Sequence, residues 1–150
     1  MDYDSEAETR KHIQRVGELI GDAIKDLINR SKYHDRSKLG PVEKPLFDKY
    51  TPLLKNVEYN SPEYKKLLED LKPALDNHYA NCSHHPEHFK NGIEDMNLLD
   101  ILEMLLDWKA SSERNKGGNI RKSIEINAER FGINPQLRKI FENTCDLFRW

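Results

Sequence analysis

Only two cysteines occur in the chain, Cys82 and Cys145, and they lie far apart without a framework pattern. A disulfide scaffold is therefore excluded, and a reduced, cytoplasmic chain is expected. No apolar run reaches the ~18 residues of a membrane span. The N-terminal MDYDSEAETRK is acidic and polar, without the basic leader and apolar core of a secretory signal. There is no GxxxxGK[ST] phosphate loop and no GxGxxG turn, which disfavours the energy-driven nucleotide chemistry those motifs serve. Neither charge dominates: 24 basic residues face 26 acidic ones, for a net charge of −2. General nucleic-acid binding is thus not expected. No Gly/Ser linker, internal repeat or low-complexity stretch divides the chain, so residues 1–150 read as one domain. A chain of this length buries roughly 70% of its unfolded surface and needs no structural metal merely to fold.

What is present is helical. Ser5 and Glu8 have capping-box spacing, and Ile13, Val16, Ile20, Ile24 and Ile28 recur with helical period, predicting a first helix over about Glu6 to Ser31. A second stretch runs from Pro41 to Leu54, with bends expected near Pro45 and Pro52. Ser61 and Pro62 start a third helix carrying Leu67, Leu68, Leu71 and Leu75, with an adjustment at Pro73. NHYANCSHHPEHFKNG then reads as an irregular, histidine-rich loop. Asn97 caps LLDILEMLLDWKA, apolar over most of its circumference and so central to a bundle. After a break at Asn115 to Asn119, a helix runs from Ile120 to Phe131. Gly132 stops it, and Asn134-Pro135 opens the last one. No alternating strand pattern appears. The fold class is all-α, a compact bundle of about six or seven helices.

Histidine supplies the chemistry. Four of the six, His78, His84, His85 and His88, fall within eleven positions. His34-Asp35, just past the first helix and followed by Lys38, offers one nitrogen and up to two oxygens to a divalent ion. A helix cap beside a surface histidine is the plain alternative. His12 lies at helical spacing from Val16, Leu19 and Ala23, which places it on the side of the helix expected to be buried. Asp100, Glu103, Asp107 and Arg114 form a polar stripe on the fourth strong helix, either a solvated face or a row aimed into the bundle. Cys82-x-His84-His85 is a fragment of a zinc pattern without a second ligand pair. His88 reads as a loop residue. Cys145 reads as packed, with no partner for nucleophilic chemistry.

The order His12…His34-Asp35…Asp107, with Lys38 after the HD pair, resembles the HD-domain superfamily of metal-dependent phosphohydrolases. The blocks HDRSK, HHPEHFKNG, LLDILEMLLDWKA and RFGI are similar to a small family of bacterial and phage proteins. The resemblance implies an HD-domain-like fold, with His12, His34, Asp35 and Asp107 as ligands of a divalent metal. One or two ions are implied, of Mn, Fe, Co, Mg or Zn. Where a second ion is bound, further histidines between the HD pair and the last aspartate hold it; His78, His84 and His85 occupy that interval. His78 precedes His84 by only six positions, closer than in the bimetallic branch, so which of the three are ligands stays open.

The implied reaction is attack of a metal-activated water on phosphorus. Lys38 and Arg114, with Lys109 and Arg130 behind them, are the cations that would offset phosphoryl charge. Asp35 would hold or bridge the metal. Glu103 would orient water or a ligand histidine. The expected substrate is a small phosphate ester, a nucleotide by the resemblance, with Tyr33, Tyr59, Tyr79 or Trp108 available to stack a base. Two other readings stay open. One is a di-iron oxygenase, which the histidine supply permits. The other is a protein that sequesters a nucleotide without turnover. The last helix either closes the bundle or forms a homo-oligomer face.

Overall fold

The computed structural model describes residues 5–58, 61–114 and 117–150. Tyr59, one of the aromatics named above, lies outside the described residues, as do Asn115 and Lys116 of the expected break. Among the described residues the protein is all-α. Six α-helices run as α1 (Ser5–Tyr33), α2 (Lys44–Leu54), α3 (Pro62–Asn81), α4 (Leu98–Glu113), α5 (Ile120–Arg130) and α6 (Pro135–Phe148). Three short 3₁₀ turns, Arg36–Leu39, Pro86–His88 and Gly92–Asp95, join them. No helix among the described residues is long and apolar enough to cross a membrane. The chain divides into two compact units, one ending at His34 and the other spanning Asp35–Trp150.

The first unit is built on α1. Glu6 and Glu8 in its first turn, and Arg30 and Lys32 in its last, complement the helix dipole. Ion pairs such as Arg10–Glu6 at 2.6 Å and Lys25–Asp22 at 3.0 Å lace its surface. Being exposed, each contributes only about 0.3–0.5 kcal/mol. The apolar stripe lies at the expected positions, yet α1 has no buried residue and His12 is exposed. The expectation that His12 shares a buried side is corrected: a unit made of one helix has no second element of its own against which to bury a face.

The second unit has two hydrophobic clusters. In one, Tyr50 of α2 packs with Leu71 and Ala74 of α3. In the other, Met104 and Leu105 of α4 meet Ile124 of α5 and Phe141 and Cys145 of α6. Cys145 is fully buried, as the packed reading required. The caps follow the sequence closely. Ser61 Oγ accepts from Tyr64 N at 3.1 Å. Asn97 and Asp100 form a complete capping box. Asn119 and Asn134 accept from Arg121 N and Leu137 N at 2.8 Å each. Gly132, with φ 63°, lets Ile133 N return to Ala128 O at 2.9 Å and stops α5.

Two boundaries differ from expectation. α2 begins at Lys44 rather than Pro41, so Pro45 starts the helix instead of bending it. α3 continues through Asn81, five residues into the stretch expected to be irregular. The reason is a period hidden by polarity: Leu71, Ala74 and His78 are spaced as one buried helical stripe, and Cys82 extends it.

Candidate metal centre

The end of α3 and the segment after it create a cluster of imidazoles in the second unit. His78 sits in the last turn of α3, 2% exposed. His84 and His85 follow in the short connection to the turn at Pro86. His85 N donates to Cys82 O at 3.2 Å, and Ser83 Oγ donates to Asp100 Oδ1 at 2.6 Å. The same Asp100 accepts from Asn97 N at 3.1 Å. Asp100, 1% exposed, therefore fastens the histidine segment to the start of α4 as well as capping that helix.

Asp35 arrives from the opposite side of the sequence. It caps the turn Arg36–Leu39 in a left-handed conformation, φ 55° and ψ 12°. Among non-glycine residues, Asp and Asn tolerate that region best. The sharp reversal turns the carboxylate toward the histidines. Asp35 Oδ1 lies 3.2 Å from His78 Nε2 and 3.4 Å from His84 Nε2. His78 Nε2 is in turn 3.0 Å from His85 Nε2. One ligand atom from each of Asp35, His78, His84 and His85 lies within 4.8 Å of all the others.

These spacings fit a metal ion. At metal–nitrogen bonds of about 2.0–2.1 Å, neighbouring ligand atoms are separated by about 2.9 Å in octahedral and about 3.3 Å in tetrahedral geometry. The far sides of two rings fit it too. His78 Nδ1 faces Glu43 Oε2 at 3.1 Å, and His84 Nδ1 faces Glu103 Oε1 at 3.3 Å. A carboxylate behind each imidazole is the usual device for placing the proton on Nδ1 and the lone pair on Nε2.

The electrostatics follow from this crowding. Burial pushes the Asp35 carboxyl up, but hydrogen bonds with His78, His84 and Lys38 outweigh it and hold the group well below the carboxylate range. Burial lowers the His78 imidazole, yet Asp35 beside it raises it to about 9. His85 has burial and the positive charge of His84 and His78 against it, and falls to about 3. It is thus neutral near pH 7, the form in which imidazole binds metal. Burial pushes the Cys82 thiol up, while His78 and Ser37 pull it below its ordinary value.

The other expected site residues are placed as follows. Lys38 Nζ donates to Asp35 Oδ2 at 2.6 Å and lies over the Phe47 ring. Glu103 is behind His84, and a ligand oxygen of Asp107 lies within 4.8 Å of one of Asp35. Three of the four residues of the α4 polar stripe, Asp100, Glu103 and Asp107, thus face inward. Arg114 is the exposed C-cap of α4, about 10 Å along the helix from Asp107. Lys109 is paired with Glu113 at 2.6 Å and lies over Trp150, and Arg130 is paired with Glu87 at 2.8 Å. His88 is exposed and bonds Tyr79 O at 2.7 Å, a loop role. Cys82 Sγ sits 3.5 Å from Nδ1 of His78, the ring edge away from the ligand set. Tyr79 packs on His85 with centroids 5.1 Å apart, whereas Trp108 is stacked on Phe131. Tyr33 is exposed at the end of α1. His12 and His34 belong to the first unit, where His34 N donates to Arg30 O at 2.7 Å.

Glu43, Ser37, Asn77 and Ser83 escape a sequence reading. Glu43 looks like an ordinary acid at a helix start, yet it is fully buried. Its partner His78 is 35 positions away, beyond the reach of any local pattern. The one available signal was the helical register that puts His78 in line with Leu71 and Ala74.

No curated protein and no solved structure matches the chain. A family model does match, over residues 1–147, nearly the whole length. The chain, with its Asp35–His78–His84–His85 cluster, belongs to the family described as "Family of unknown function (DUF5662)".

Proposed function

We propose that the protein is a metal-dependent phosphohydrolase acting on a nucleotide or another small phosphate ester. One observation carries the reading. Three imidazole nitrogens and one carboxylate oxygen converge within 4.8 Å, and two of the imidazoles are backed by carboxylates. Asp35, His78, His84 and His85 are the ligands in this reading. Asp107 joins them by the resemblance to HD-domain enzymes. The nitrogen-rich donor set suits Zn, Fe, Co or Mn better than Mg, which favours oxygen ligands.

When bound, such an ion lowers the pKa of water and polarises a phosphoryl oxygen. The chain's own residues supply the rest. Asp35 presents Oδ1 to the histidines and Oδ2 to Lys38, so its two oxygens tie the ligand set to a cation. Lys38 is the group to offset charge on the phosphoryl oxygens, its side chain 34% exposed at the edge of the cluster. Glu103 orients His84. Tyr79 walls His85 and offers an aromatic face.

Phosphate release from a nucleotide panel with Mn(II), Co(II), Zn(II), Fe(II) or Mg(II), wild type against Asp35→Asn, tests the proposal. Release by wild type alone supports it. Stoichiometric metal binding without release from any phosphate ester overturns the hydrolase reading. Oxygen consumption by the Fe(II) form would then identify the oxygenase, and tight nucleotide retention the sequestering protein.

A further inference from the structure

Glu43 is the most deeply buried acid of the second unit, with no exposed surface, and the chemistry above does not consume it. It sits at the start of α2 but makes no capping bond with its side chain. Both its oxygens are turned to α3 instead. Asn77 Nδ2 donates to Oε1 at 2.7 Å, and His78 Nδ1 lies 3.1 Å from Oε2. A carboxylate can only accept. Ser37 Oγ, 3.0 Å from the same Nδ1, can accept as well as donate, so the contact with Oε2 sets the tautomer: the proton lies on Nδ1, and a neutral His78 presents its lone pair at Nε2. That atom faces Asp35 Oδ1 at 3.2 Å and His85 Nε2 at 3.0 Å. A lone pair aimed at a carboxylate oxygen is repulsive unless a proton or a metal ion lies between them, so Nε2 is a position for one or the other.

We infer that Glu43 is the positioning residue of the metal centre: clamped by Asn77, it fixes the Nδ1–H tautomer of His78 and aims Nε2 at the ligand cluster. This rests on the metal-centre reading. Asn77 and His78 are adjacent in the last turns of α3, so one buried carboxylate reads both through a single short helical edge. The orientation of Asn77 matters as much as its presence. With its amide nitrogen on Oε1, the Oε1 position must remain an acceptor. Glu43→Gln would keep the shape while replacing the oxygen opposite His78 by an NH₂. That group donates, forces His78 Nδ1 to accept, and moves the proton to Nε2, where the metal belongs.

The test uses Zn(II) alone, with affinity measured by competition against a chromophoric chelator and the His78 tautomer read by long-range ¹H–¹⁵N NMR. Wild type should bind Zn(II) with His78 protonated at Nδ1, and Glu43→Gln should bind about 10–100-fold more weakly with the His78 proton moved to Nε2. Asn77→Asp presents an oxygen to Glu43 in place of the NH₂ donor and serves as a second variant should Glu43→Gln fail to fold; it should weaken Zn(II) and disturb the same tautomer. A folded Glu43→Gln with unchanged affinity and an unchanged tautomer overturns the inference. Wild type that binds no Zn(II) overturns the metal reading instead. The tautomer of the metal-free protein at alkaline pH then decides the role of Glu43 separately, since a neutral His78 protonated at Nε2 would refute it.

Discussion

Asp35→Asn isolates the charge of the cluster from its shape. Asparagine is isosteric and tolerates the left-handed φ of 55°, so the turn into Arg36–Leu39 survives. Alanine at the same position would add a conformational cost of about 1–2 kcal/mol and confuse the result. The magnitude can be read from His78. Burial alone would lower its pKa below 6.5, but Asp35 raises it to about 9. The net rise corresponds to about 3 kcal/mol in favour of the charged ring, supplied first by Asp35 with Cys82 adding to it. The depression of Asp35 itself is larger because three donors, His78, His84 and Lys38, act on it together, so His78 is the cleaner measure of one pair. Removing the carboxylate charge should therefore bring His78 well below 9 and weaken Zn(II) binding by about 100-fold or more, since a divalent ion feels the charge twice. Chelator competition measures the affinity and an ¹⁵N-detected pH titration measures His78. A variant that stays folded, binds Zn(II) within threefold of wild type and keeps His78 near 9 refutes the reasoning.

In the metal-free protein, the raised His78 contributes stability that is full below pH 6.5 and lost as pH rises through about 9. Melting temperature should fall across that window, and saturating Zn(II), which takes the place of the Nε2 proton, should flatten the slope; a flat profile without metal contradicts the pairing. Ser83→Ala removes the hydroxyl that donates to the buried Asp100 Oδ1 at 2.6 Å. It should cost about 1–3 kcal/mol in urea denaturation and weaken Zn(II) by loosening His84, whereas a stability loss with unchanged Zn(II) affinity would show that Ser83 does not position the histidine.

The helices were legible because their punctuation is local. Ser61, Asn97 and Asn134 each cap the helix their position announced. The all-α class follows from that punctuation and from the apolar period between the caps. The histidine cluster was legible as a group of ligand types but not as a geometry. His78 reads as part of an irregular loop because a polar residue interrupts the apolar stripe of Leu71 and Ala74, although it occupies the next core position. Glu43 was invisible because its meaning depends on a contact across 35 residues. For His12, periodicity correctly marked one face of α1, but period alone does not say that a face is covered.

The two hydrophobic clusters of the second unit bear on how it comes apart. Asp35 and His78 are anchored to the α2–α3 cluster, through the turn before α2 and the stripe of Leu71 and Ala74. His84 is anchored to the α4–α6 cluster, through Ser83 on Asp100 and through Glu103. An ion shared by these residues would cross-link the two clusters. Without it, the amides of α3 and those of α4 to α6 should exchange with separate opening free energies. With it, they should open together, and the denaturation transition should steepen into a single step.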